Sequence, residues 1–331
     1  MSDRSREASL SGGTEPPVPV FRSLSDVPSN LGSTIAAIGN FDGVHVGHRE
    51  ILSGAILEAR SSGLRSLAIT FSPHPQQLLR PETAPRLITP DPEERLRLLC
   101  ATGVDAVLVL PFDNDLARLS GREFAQCVLA QTLHVRAVHE GQSFRFGHGA
   151  AAGVKELALF GAEFGFTVHV HDAVSVHGLQ VSSSAVRRAI AGGEIRRARW
   201  MLGRSFALRS TPARGRGIGS RLLVPTVNLA EYHGLVPGFG VYVSCLRIAG
   251  RPFQAVTNVG NRPTFGEASF AIESHLLNFE PVDMDESTPL ELEFLCRLRG
   301  EIKWNSPEAL KEQIFKDAAR AKRYFRLARR S

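Results

Sequence analysis

The hydrophobic periodicity of this 331-residue chain changes near Gly203, and this change constrains the fold more than any other feature. Before Gly203, short apolar runs alternate with segments whose apolar residues recur at helical spacing. After it, strand-like runs follow one another between turn residues, until a helical segment begins at Pro307. Alternating strands and helices predict a parallel sheet covered by helices, whereas successive short strands predict a small antiparallel barrel. We therefore expect two domains.

The first domain is predicted to be an α/β fold with alternating elements. Its predicted strands cover residues 34–39, 64–71, 105–110, 135–139 and 166–170, and its predicted helices cover 47–60, 91–101, 120–133 and 155–164. Ser120 and Glu123 have the spacing of a capping box at the start of one helix. Ligands of such sheets bind beyond the carboxyl ends of the strands, so we expect the functional residues of this domain there.

The second domain is predicted to be a six-stranded antiparallel barrel followed by a helix. Its predicted strands cover residues 205–213, 222–229, 239–248, 252–259, 270–279 and 289–299, and the helix runs from Pro307 to about residue 328. We place a disordered leader at residues 1–20, the first domain at 21–203 and the second at 204–331.

Composition excludes several classes of protein. With 43% apolar and 22% charged residues the chain is predicted to fold rather than stay disordered. It contains no apolar run of about 18 residues, so we expect no spanning helix. The four cysteines lie far apart without a CxxC pair, which predicts buried free thiols and a cytoplasmic location. The net charge of +6 suits anionic partners without choosing among them.

The first segment that carries chemistry is IGNFDGVHVGHREIL, residues 38–52. Glycines allow a tight turn after the first strand, and His45 and His48 follow at the start of a helix with Gly47 between them. The amino terminus of a helix offers N–H donors and partial positive charge, so two imidazoles there can help to hold a triphosphate. A metal-binding pair or two structural histidines are the alternatives.

Two later segments of the first domain also contain candidate substrate-binding residues. Pro73 and His74 lie in FSPHP, directly after the second strand, and form either a substrate loop or a proline-stiffened turn. The serines of 182–184 precede a helix that carries Arg187 in its first turn. These hydroxyls either cap the helix or, together with the guanidinium, form a phosphate clamp.

The second domain offers a candidate cation site and a candidate base. Thr226 and Asn228 are two residues apart in a strand, so both side-chain oxygens can face one cation; polar residues of an edge strand are the alternative. Glu273 lies in the apolar strand FAIESHLL. A desolvated carboxylate there would suit a general base, and a solvent-facing strand residue is the other interpretation.

Taken together, these motifs resemble the bacterial bifunctional riboflavin kinase/FAD synthetase family. The ordered set is GNFDGVHVGH at 39–48, PHP at 73–75, FRFG at 144–147, SSSAVR at 182–187, LGR at 202–204, PTVNL at 225–229, GVY at 240–242, NVGNRPT at 258–264, ESH at 273–275 and LR at 298–299. The HxGH element alone also occurs in many nucleotidylyltransferases and in class I tRNA synthetases. The complete series, over residues 20–327, is specific.

The resemblance implies two activities. The first domain would be a Rossmann-like adenylyltransferase that joins AMP from ATP to FMN and releases pyrophosphate. The barrel would phosphorylate riboflavin to FMN with ATP and Mg²⁺. The resemblance implies that the ATP phosphates are bound by His45 and His48, with Gly39, Asn40, Phe41, Asp42, Gly47, Ser183, Ser184 and Arg187. It implies that the flavin is bound by Pro73, His74, Ser143 and Arg299. In the barrel it implies that Thr226 and Asn228 bind Mg²⁺ and that Glu273 is the general base.

Three positions depart from the family pattern. Ser143 stands where members usually carry Asp or Asn, the loop at 147–154 lacks the usual charged residues, and Leu223 replaces a glycine. These departures keep two alternatives open: a single-activity or degenerate nucleotide or RNA sensor, and a tRNA-synthetase-like ligase. The favoured hypothesis is a bifunctional enzyme, monomeric by default, whose partners are small nucleotides and flavins rather than nucleic acid or membrane.

Overall fold

The computed structural model describes residues 18–213, 226–230, 232–264, 267–302 and 305–328. Residues 1–17 of the expected leader and the departure at Leu223 lie outside these ranges. The last residue assigned to the leader, Val20, pairs with Val107 in the first sheet.

The first half of the chain is built on a parallel sheet. Its strands are β1 (Val20–Phe21), β2 (Thr34–Ile38), β3 (Arg65–Ser72), β4 (Ala106–Pro111), β5 (Val135–Gly141), β6 (Arg145–Phe146), β7 (Ala152–Gly153), β8 (Thr167–His171), β9 (Ser175–Val176) and β10 (Leu179–Gln180). Six of them form one sheet in the order β1-β4-β3-β2-β5-β8, and every neighbouring pair runs parallel. The strands that follow β2 in the chain, β3 and β4, lie on one side of it, and the later strands β5 and β8 lie on the other side. The strand order therefore reverses between β2 and β5.

Helices cover both faces of this sheet. They are α1 (Val46–Ser62), α2 (Pro75–Leu79), α3 (Pro92–Cys100), α4 (Asn114–Arg118), α5 (Gly121–Glu123) with its π-helical continuation Phe124–Thr132, α6 (Val154–Phe164), α7 (Ser183–Ala191) and α8 (Ile195–Leu202). One core cluster packs α1 and α3 on the sheet, and a second packs the π-helix and α6 on it. The predicted capping box is confirmed: Glu123 donates its N–H to Ser120 Oγ and accepts from the Ser120 N–H.

The second half is a curled antiparallel sheet. Its strands are β11 (Phe206–Ser210), β12 (Thr226–Asn228), β13 (Gly240–Ile248), β14 (Arg251–Thr264), β15 (Glu267–Leu276) and β16 (Leu290–Gly300), in the order β11-β16-β13-β14-β15-β12. A bridge between Pro212 and Leu229 joins the ends of the two outer strands. Leu290, Leu292 and Phe294 are buried at alternate positions, as their spacing predicts. The predicted six-stranded barrel is confirmed.

The last helix, α9 (Pro307–Ala328), packs on the outer face of the barrel. Ala321 is fully buried against Val241 and Val243 of β13. Beside this contact, Arg299 Nε donates to the buried Asp317 Oδ2 at 2.8 Å, which ties β16 to α9. Apolar packing and one ion pair therefore dock the helix.

The change of periodicity near Gly203 marks a change of secondary structure but not a break in the core. α8 ends at Leu202 and β11 begins at Phe206, as the periodicity predicts. One buried cluster nevertheless contains Ile190 and Met201 from the helices together with Leu292 from the barrel. The last two helices of the first half therefore also pack against the barrel of the second half.

Composition gave two expectations, one about the cysteines and one about membrane-spanning helices. The four cysteines are unpaired, but none is fully buried: Cys100, Cys245 and Cys296 are half-buried. Cys127 is exposed, because the buried face of its helix is occupied by Phe124, Val128 and Leu129. Across the described ranges, no helix is both long enough and apolar enough to cross a membrane.

The shared core predicts that the two halves unfold together. Ile190 is fully buried in the cluster, so Ile190→Ala should lower the free energy of unfolding by about 2–5 kcal/mol. Scanning calorimetry should show one transition that shifts as a whole. Leu57→Ala, at a side chain 63% exposed on α1, is the matched control and should change stability little. Two separate transitions, only one of them shifted, would contradict the shared core.

Candidate active sites in the two domains

A cavity of about 650 Å³ opens at the carboxyl ends of the parallel strands. Its wall includes Ile38 at the end of β2, Phe71 near the end of β3, Glu140 of β5 and His171 of β8. The cavity therefore lies where the strand order reverses, between β2 and β5, which is where open α/β sheets bind ligands. The amino-terminal ends of α1 and α7 both contribute residues to the wall.

The turn from β2 into α1 has an unusual backbone. Phe41, Gly43 and Val44 all have positive φ values, of 47°, 82° and 38°. Side chains disfavour this region, so the surroundings must hold the turn in place. Phe41 is buried and meets His48 edge to face, with ring centroids 5.3 Å apart. At Gly43 a Cβ would lie 3.0 Å from the Ile88 side chain, so the positive φ and this close approach both favour glycine.

Asp42 holds this turn to two other parts of the chain. Its carboxylate is 1% exposed and accepts hydrogen bonds from the backbone N–H groups of Ile88 and Thr89, at 3.1 and 3.0 Å. It also accepts from Arg187 Nε of α7 at 3.1 Å. A buried carboxylate needs such compensation. Asp42 lines the cavity, and its oxygens accept from these donors, which hold the turn against residues 88–89 and α7.

His45 caps α1 and is held as a neutral donor. Its Nδ1 accepts the N–H of His48 at 3.2 Å, which leaves the proton of the neutral ring on Nε2. Nε2 lies 3.3 Å from Ser183 Oγ. Burial first, then the nearby charge of Arg187, lowers the pKa of His45 to about 4. At neutral pH this imidazole is therefore an uncharged N–H donor at the cavity wall.

His48 stacks on His45, with ring centroids 3.6 Å apart. Burial and the neighbouring His45 lower the pKa of His48 well below its usual range. Its Nδ1 is buried and has no hydrogen-bond partner within the described part of the chain. Buried polar atoms normally have a partner, so this nitrogen marks a position for a ligand or a water molecule. The structure thus brings the two predicted histidines together.

The PHP segment divides between the cavity wall and the surface. His74 lines the cavity, and its Nδ1 accepts the N–H of Gln76 at 3.2 Å, so it too carries its proton on Nε2. Burial lowers the pKa of His74 to about 4. Pro73 is exposed and does not line the cavity.

The serine motif caps α7 and also contributes to the cavity wall. Ser182 Oγ accepts the N–H of Ala185 at 3.1 Å and caps α7, which is the structural alternative. Ser183 instead donates to the carbonyl of Asp42 and contacts His45, and Ser184 lines the cavity. Arg187, one turn further on, faces the same cavity. Hydroxyls, helix N–H groups and a guanidinium therefore converge.

The segment around Ser143 forms a flap beside the cavity. Ser143 is exposed at the edge, while Phe144 and Phe146 stack with ring centroids 5.3 Å apart and provide apolar wall. Gly147 has a φ of 74°, and a Cβ there would lie 2.4 Å from the backbone nitrogen of Gly121. The flap therefore rests directly on the start of α5.

Glu140 is a site residue that the sequence analysis missed. It is buried in the cavity wall, and its Oε1 accepts the N–H of Ile38 at 2.8 Å. Burial raises the pKa of this carboxyl well above its usual range. A polar residue at the carboxyl end of a buried strand is the signal that could have identified it, because that end of the sheet faces the ligand.

In the second half, the predicted metal and base residues share one face of the barrel. Glu273 of β15 lies opposite Asn228 on one side and Asn258 on the other. Thr226 lies opposite His275, and their side chains hydrogen-bond at 3.0 Å. Directly opposite residues share a sheet face. This is the outer face of the barrel, since Val227 and Ser274, between them in the two strands, are buried inward.

Arg299 has a different setting from the one expected of a flavin ligand. Besides its bond to Asp317, its Nη1 donates to the Gly300 carbonyl at 3.1 Å, and its side chain is largely buried. Asp317 Oδ1 in turn accepts from Gln313 Nε2 at 2.9 Å. The structure therefore places Arg299 at the joint between β16 and α9.

Comparisons with known proteins cover both halves of the chain. A family model described as FAD synthetase matches residues 27–185, and one described as riboflavin kinase matches residues 202–325. The order of the two matches is the order of the two sheets in the fold.

Individual relatives match over nearly their full length. A bifunctional riboflavin kinase/FMN adenylyltransferase of Pseudomonas fluorescens is 35% identical over 308 residues, covering 92% of this chain and 96% of its own. The protein of the same description from Escherichia coli (strain K12) is 33% identical over 311 residues, covering 93% and 97%. A crystal structure described as a macrolide-efflux protein from Streptococcus pneumoniae aligns with a TM-score of 0.80 at 25% identity, covering 92% of this chain and 98% of that one.

The low pKa values of His45 and His74 predict a loss of stability in mild acid. An unfolded chain takes up protons on these rings near pH 6.5, whereas the folded chain does so only near pH 4. Their contribution to stability is therefore complete above pH 6.5 and is lost as the pH falls toward 4. In urea unfolding measured from pH 8 to pH 4, the free energy of unfolding should fall less steeply with falling pH in His74→Gln than in the unsubstituted protein. The difference in the free energy of unfolding between the two proteins at pH 8 gives the packing effect of the substitution alone. Parallel curves of the free energy of unfolding against pH, below pH 6.5, would contradict the low pKa assigned to His74.

Proposed function

This chain belongs to the bifunctional riboflavin kinase/FMN adenylyltransferase family, and from that premise we propose where each of its two reactions takes place. The enzyme phosphorylates riboflavin to FMN with ATP, and it transfers AMP from ATP to FMN to give FAD and pyrophosphate. We assign adenylyl transfer to the cavity at the carboxyl ends of β2 and β5, and phosphorylation to the outer face of the barrel around Glu273. The observation that supports the first assignment is that one cavity is lined by two helix amino termini and by His45, His48 and Arg187.

In the proposed adenylyl transfer, a phosphate oxygen of FMN attacks the α-phosphorus of ATP and pyrophosphate leaves. Negative charge builds up on the α-phosphate oxygens and on the departing pyrophosphate. The Nε2–H of His45, fixed by the cap that its Nδ1 forms, would donate to these oxygens. A preorganised donor requires no rearrangement during the reaction, which is the main source of such stabilisation.

Positive charge in this site would come from Arg187 and the helix ends rather than from the histidines. The low pKa of His45 keeps its ring neutral at physiological pH. Arg187 is oriented by Asp42, so its guanidinium stays at the start of α7 beside Ser183 and Ser184. Helix amino termini favour phosphate groups for the same electrostatic reason. We assign the triphosphate to this side of the cavity.

We assign the flavin to the other side, where His74, Ser143 and the stacked Phe144 and Phe146 lie. An aromatic and apolar wall suits a planar isoalloxazine ring. The hydroxyl of Ser143 can still exchange a hydrogen bond with a bound flavin from its exposed position. Pro73 would act by shaping the turn ahead of His74 rather than by contact.

In the proposed kinase site, Glu273 takes the proton of the riboflavin 5′-hydroxyl as that oxygen attacks the γ-phosphorus of ATP and ADP leaves. Asn228 and Asn258 lie on either side of Glu273 in the register and would hold the reacting groups in place. The hydroxyl of Thr226 and the amide of Asn228 are hard oxygen donors on one face, which fits Mg²⁺. Bound there, Mg²⁺ would neutralise phosphate charge.

We further propose that the enzyme acts in the cytoplasm on small-molecule substrates. The four unpaired cysteines suit a reducing compartment. The two assigned sites lie on different sheets of one polypeptide. This arrangement requires no second chain, so we take a monomer as the working form.

The two-site assignment predicts separable losses of activity. His48→Gln should lower FAD formation from FMN and ATP by about 10²–10³-fold, because it alters the donors around the α-phosphate. It should leave FMN formation from riboflavin unchanged. Glu273→Gln should do the reverse, with a loss of about 10²–10⁴-fold in FMN formation. Flavins are separated by chromatography and quantified.

Exposed residues of the same types provide the controls for these variants. His134→Asn, at a position where φ is 47° and asparagine fits, and Glu308→Gln on α9 should retain both activities. If a folded His48→Gln or Glu273→Gln enzyme lost both activities, the assignment of separate sites would be wrong.

The Arg299–Asp317 pair predicts how Arg299 contributes to the kinase. If Arg299 acts by docking α9, Asp317→Asn should raise the KM for riboflavin about as much as Arg299→Gln, and the double variant should be little worse than either. FAD formation from FMN should not change. An Asp317→Asn enzyme with normal KM, beside an impaired Arg299→Gln enzyme, would show instead that Arg299 contacts the flavin directly.

A further inference from the structure

Three histidines and a glutamate meet between α1 and the edge of the parallel sheet; of these four, His171 also lines the cavity, and Glu58, His139 and His169 do not. His139 of β5 and His169 of β8 lie opposite each other, and His171 follows two residues later on the same face. Glu58 of α1 reaches them from the helix that covers this face. Its Oε2 lies 2.7 Å from His139 Nε2 and 3.2 Å from His169 Nε2. One carboxylate oxygen is thus shared by two imidazoles.

A glycine on α1 makes room for these rings. A Cβ at Gly54 would lie 2.6 Å from His171 Cε1 and 2.7 Å from His139 Nδ1. Such contacts are too short, so any larger residue would displace the histidines or the helix. Gly54 is one turn before Glu58 and therefore lies on the same helix face. The helix approaches the imidazoles as closely as the backbone permits.

We propose that Glu58, His139 and His169 form a binding site for a divalent transition metal of the Zn²⁺ type. Their three ligand atoms all lie within 4.8 Å of one another. Zn²⁺ binds imidazole nitrogen and carboxylate oxygen at about 2.0–2.2 Å, and four-coordinate sites with three protein ligands take water as the fourth. The His169 side chain is 49% exposed and that of Glu58 is 29% exposed, so solvent reaches the open position.

His171 supports the metal indirectly, through the second nitrogen of His139. The distance from His139 Nδ1 to His171 Nε2 is 2.9 Å. In the metal-free protein the proton on His139 Nε2 faces the Glu58 carboxylate. With a metal bound, His139 carries its proton on Nδ1 and donates it to His171, which leaves the Nε2 lone pair for the metal. Metal-binding histidines are usually held by such a bond.

The ligand types separate this site from the proposed Mg²⁺ site of the kinase. Mg²⁺ prefers oxygen ligands, whereas imidazole nitrogens select zinc and its neighbours in the first transition series. The site needs neither ATP nor flavin, so it can be tested without substrates. Its existence does not depend on the assignment of the two reactions.

The test is a metal titration of the untagged, metal-stripped full chain in the presence of excess Mg²⁺. We expect one Zn²⁺ per chain in competition with a chromophoric chelator, and one Co²⁺ with visible absorption bands of a nitrogen- and oxygen-ligated ion. Loss of one ligand in His169→Ala or in Glu58→Gln should weaken Zn²⁺ binding at least about tenfold. Both side chains are partly exposed, so these variants avoid the buried His139.

His134→Asn removes an exposed histidine outside the cluster and should bind Zn²⁺ as the unsubstituted protein does. Zn²⁺ should also raise the melting temperature of the unsubstituted protein and of His134→Asn, and at the same Zn²⁺ concentration it should raise that of His169→Ala by less. The proposal is overturned if the unsubstituted chain binds no Zn²⁺ in excess Mg²⁺. It is equally overturned if His169→Ala and Glu58→Gln bind Zn²⁺ with undiminished affinity.

Discussion

The buried carboxylate of Asp42 is the interaction on which the rest of the molecule depends. It accepts two backbone N–H groups from residues 88–89 and one N–H from the Arg187 guanidinium, so two distant parts of the chain are fixed to one side chain. A charge this well buried is tolerated only when its oxygens are fully engaged. The strained turn of 41–44 is held by this pairing and by the packing of Phe41. The histidines that follow are placed as a result.

Through Arg187 the same carboxylate positions α7, and α7 connects the two halves of the protein. The inner faces of α7 and α8 pack into a core that also contains barrel residues such as Phe206 and Leu292. Two further contacts cross this boundary: Gly238 N–H donates to the Ile190 carbonyl at 3.1 Å, and Leu235 N–H donates to the Leu87 carbonyl at 3.2 Å. The adenylyltransferase cavity and the kinase barrel are therefore parts of one packed body.

Much of the fold was predictable from the sequence, because hydrophobic periodicity records local burial. The alternation of strands and helices up to Leu202 and the strand sequence that follows both correspond to the structure. The motifs also predicted the family correctly, and most of the residues proposed for adenylyl transfer line one cavity. The boundary near Gly203 could not reveal the shared core, because periodicity shows which face is buried but not against what.

The side-chain partners were less accessible to sequence analysis. The resemblance implied a flavin contact for Arg299, and it gave no sign that the guanidinium also binds Asp317, eighteen residues away on another element. Glu140 and the cluster around His139 were not identified, because their significance depends on which strands lie side by side. The histidines of β8 alternate in the sequence TVHVH, yet nothing local shows that Glu58 lies across from them.

The sequence by itself determined the fold class, the order of the two sheets, the family and the turn–helix motif that follows the first long strand. These features depend on local spacing and on backbone conformations that favour particular residue types, such as the positive φ at Gly43. The tertiary structure alone decided which charges are neutralised, which histidine nitrogen carries a proton and where the two halves join. Such properties arise from desolvation and hydrogen bonding between residues far apart in the chain, and they exist only once the chain has folded.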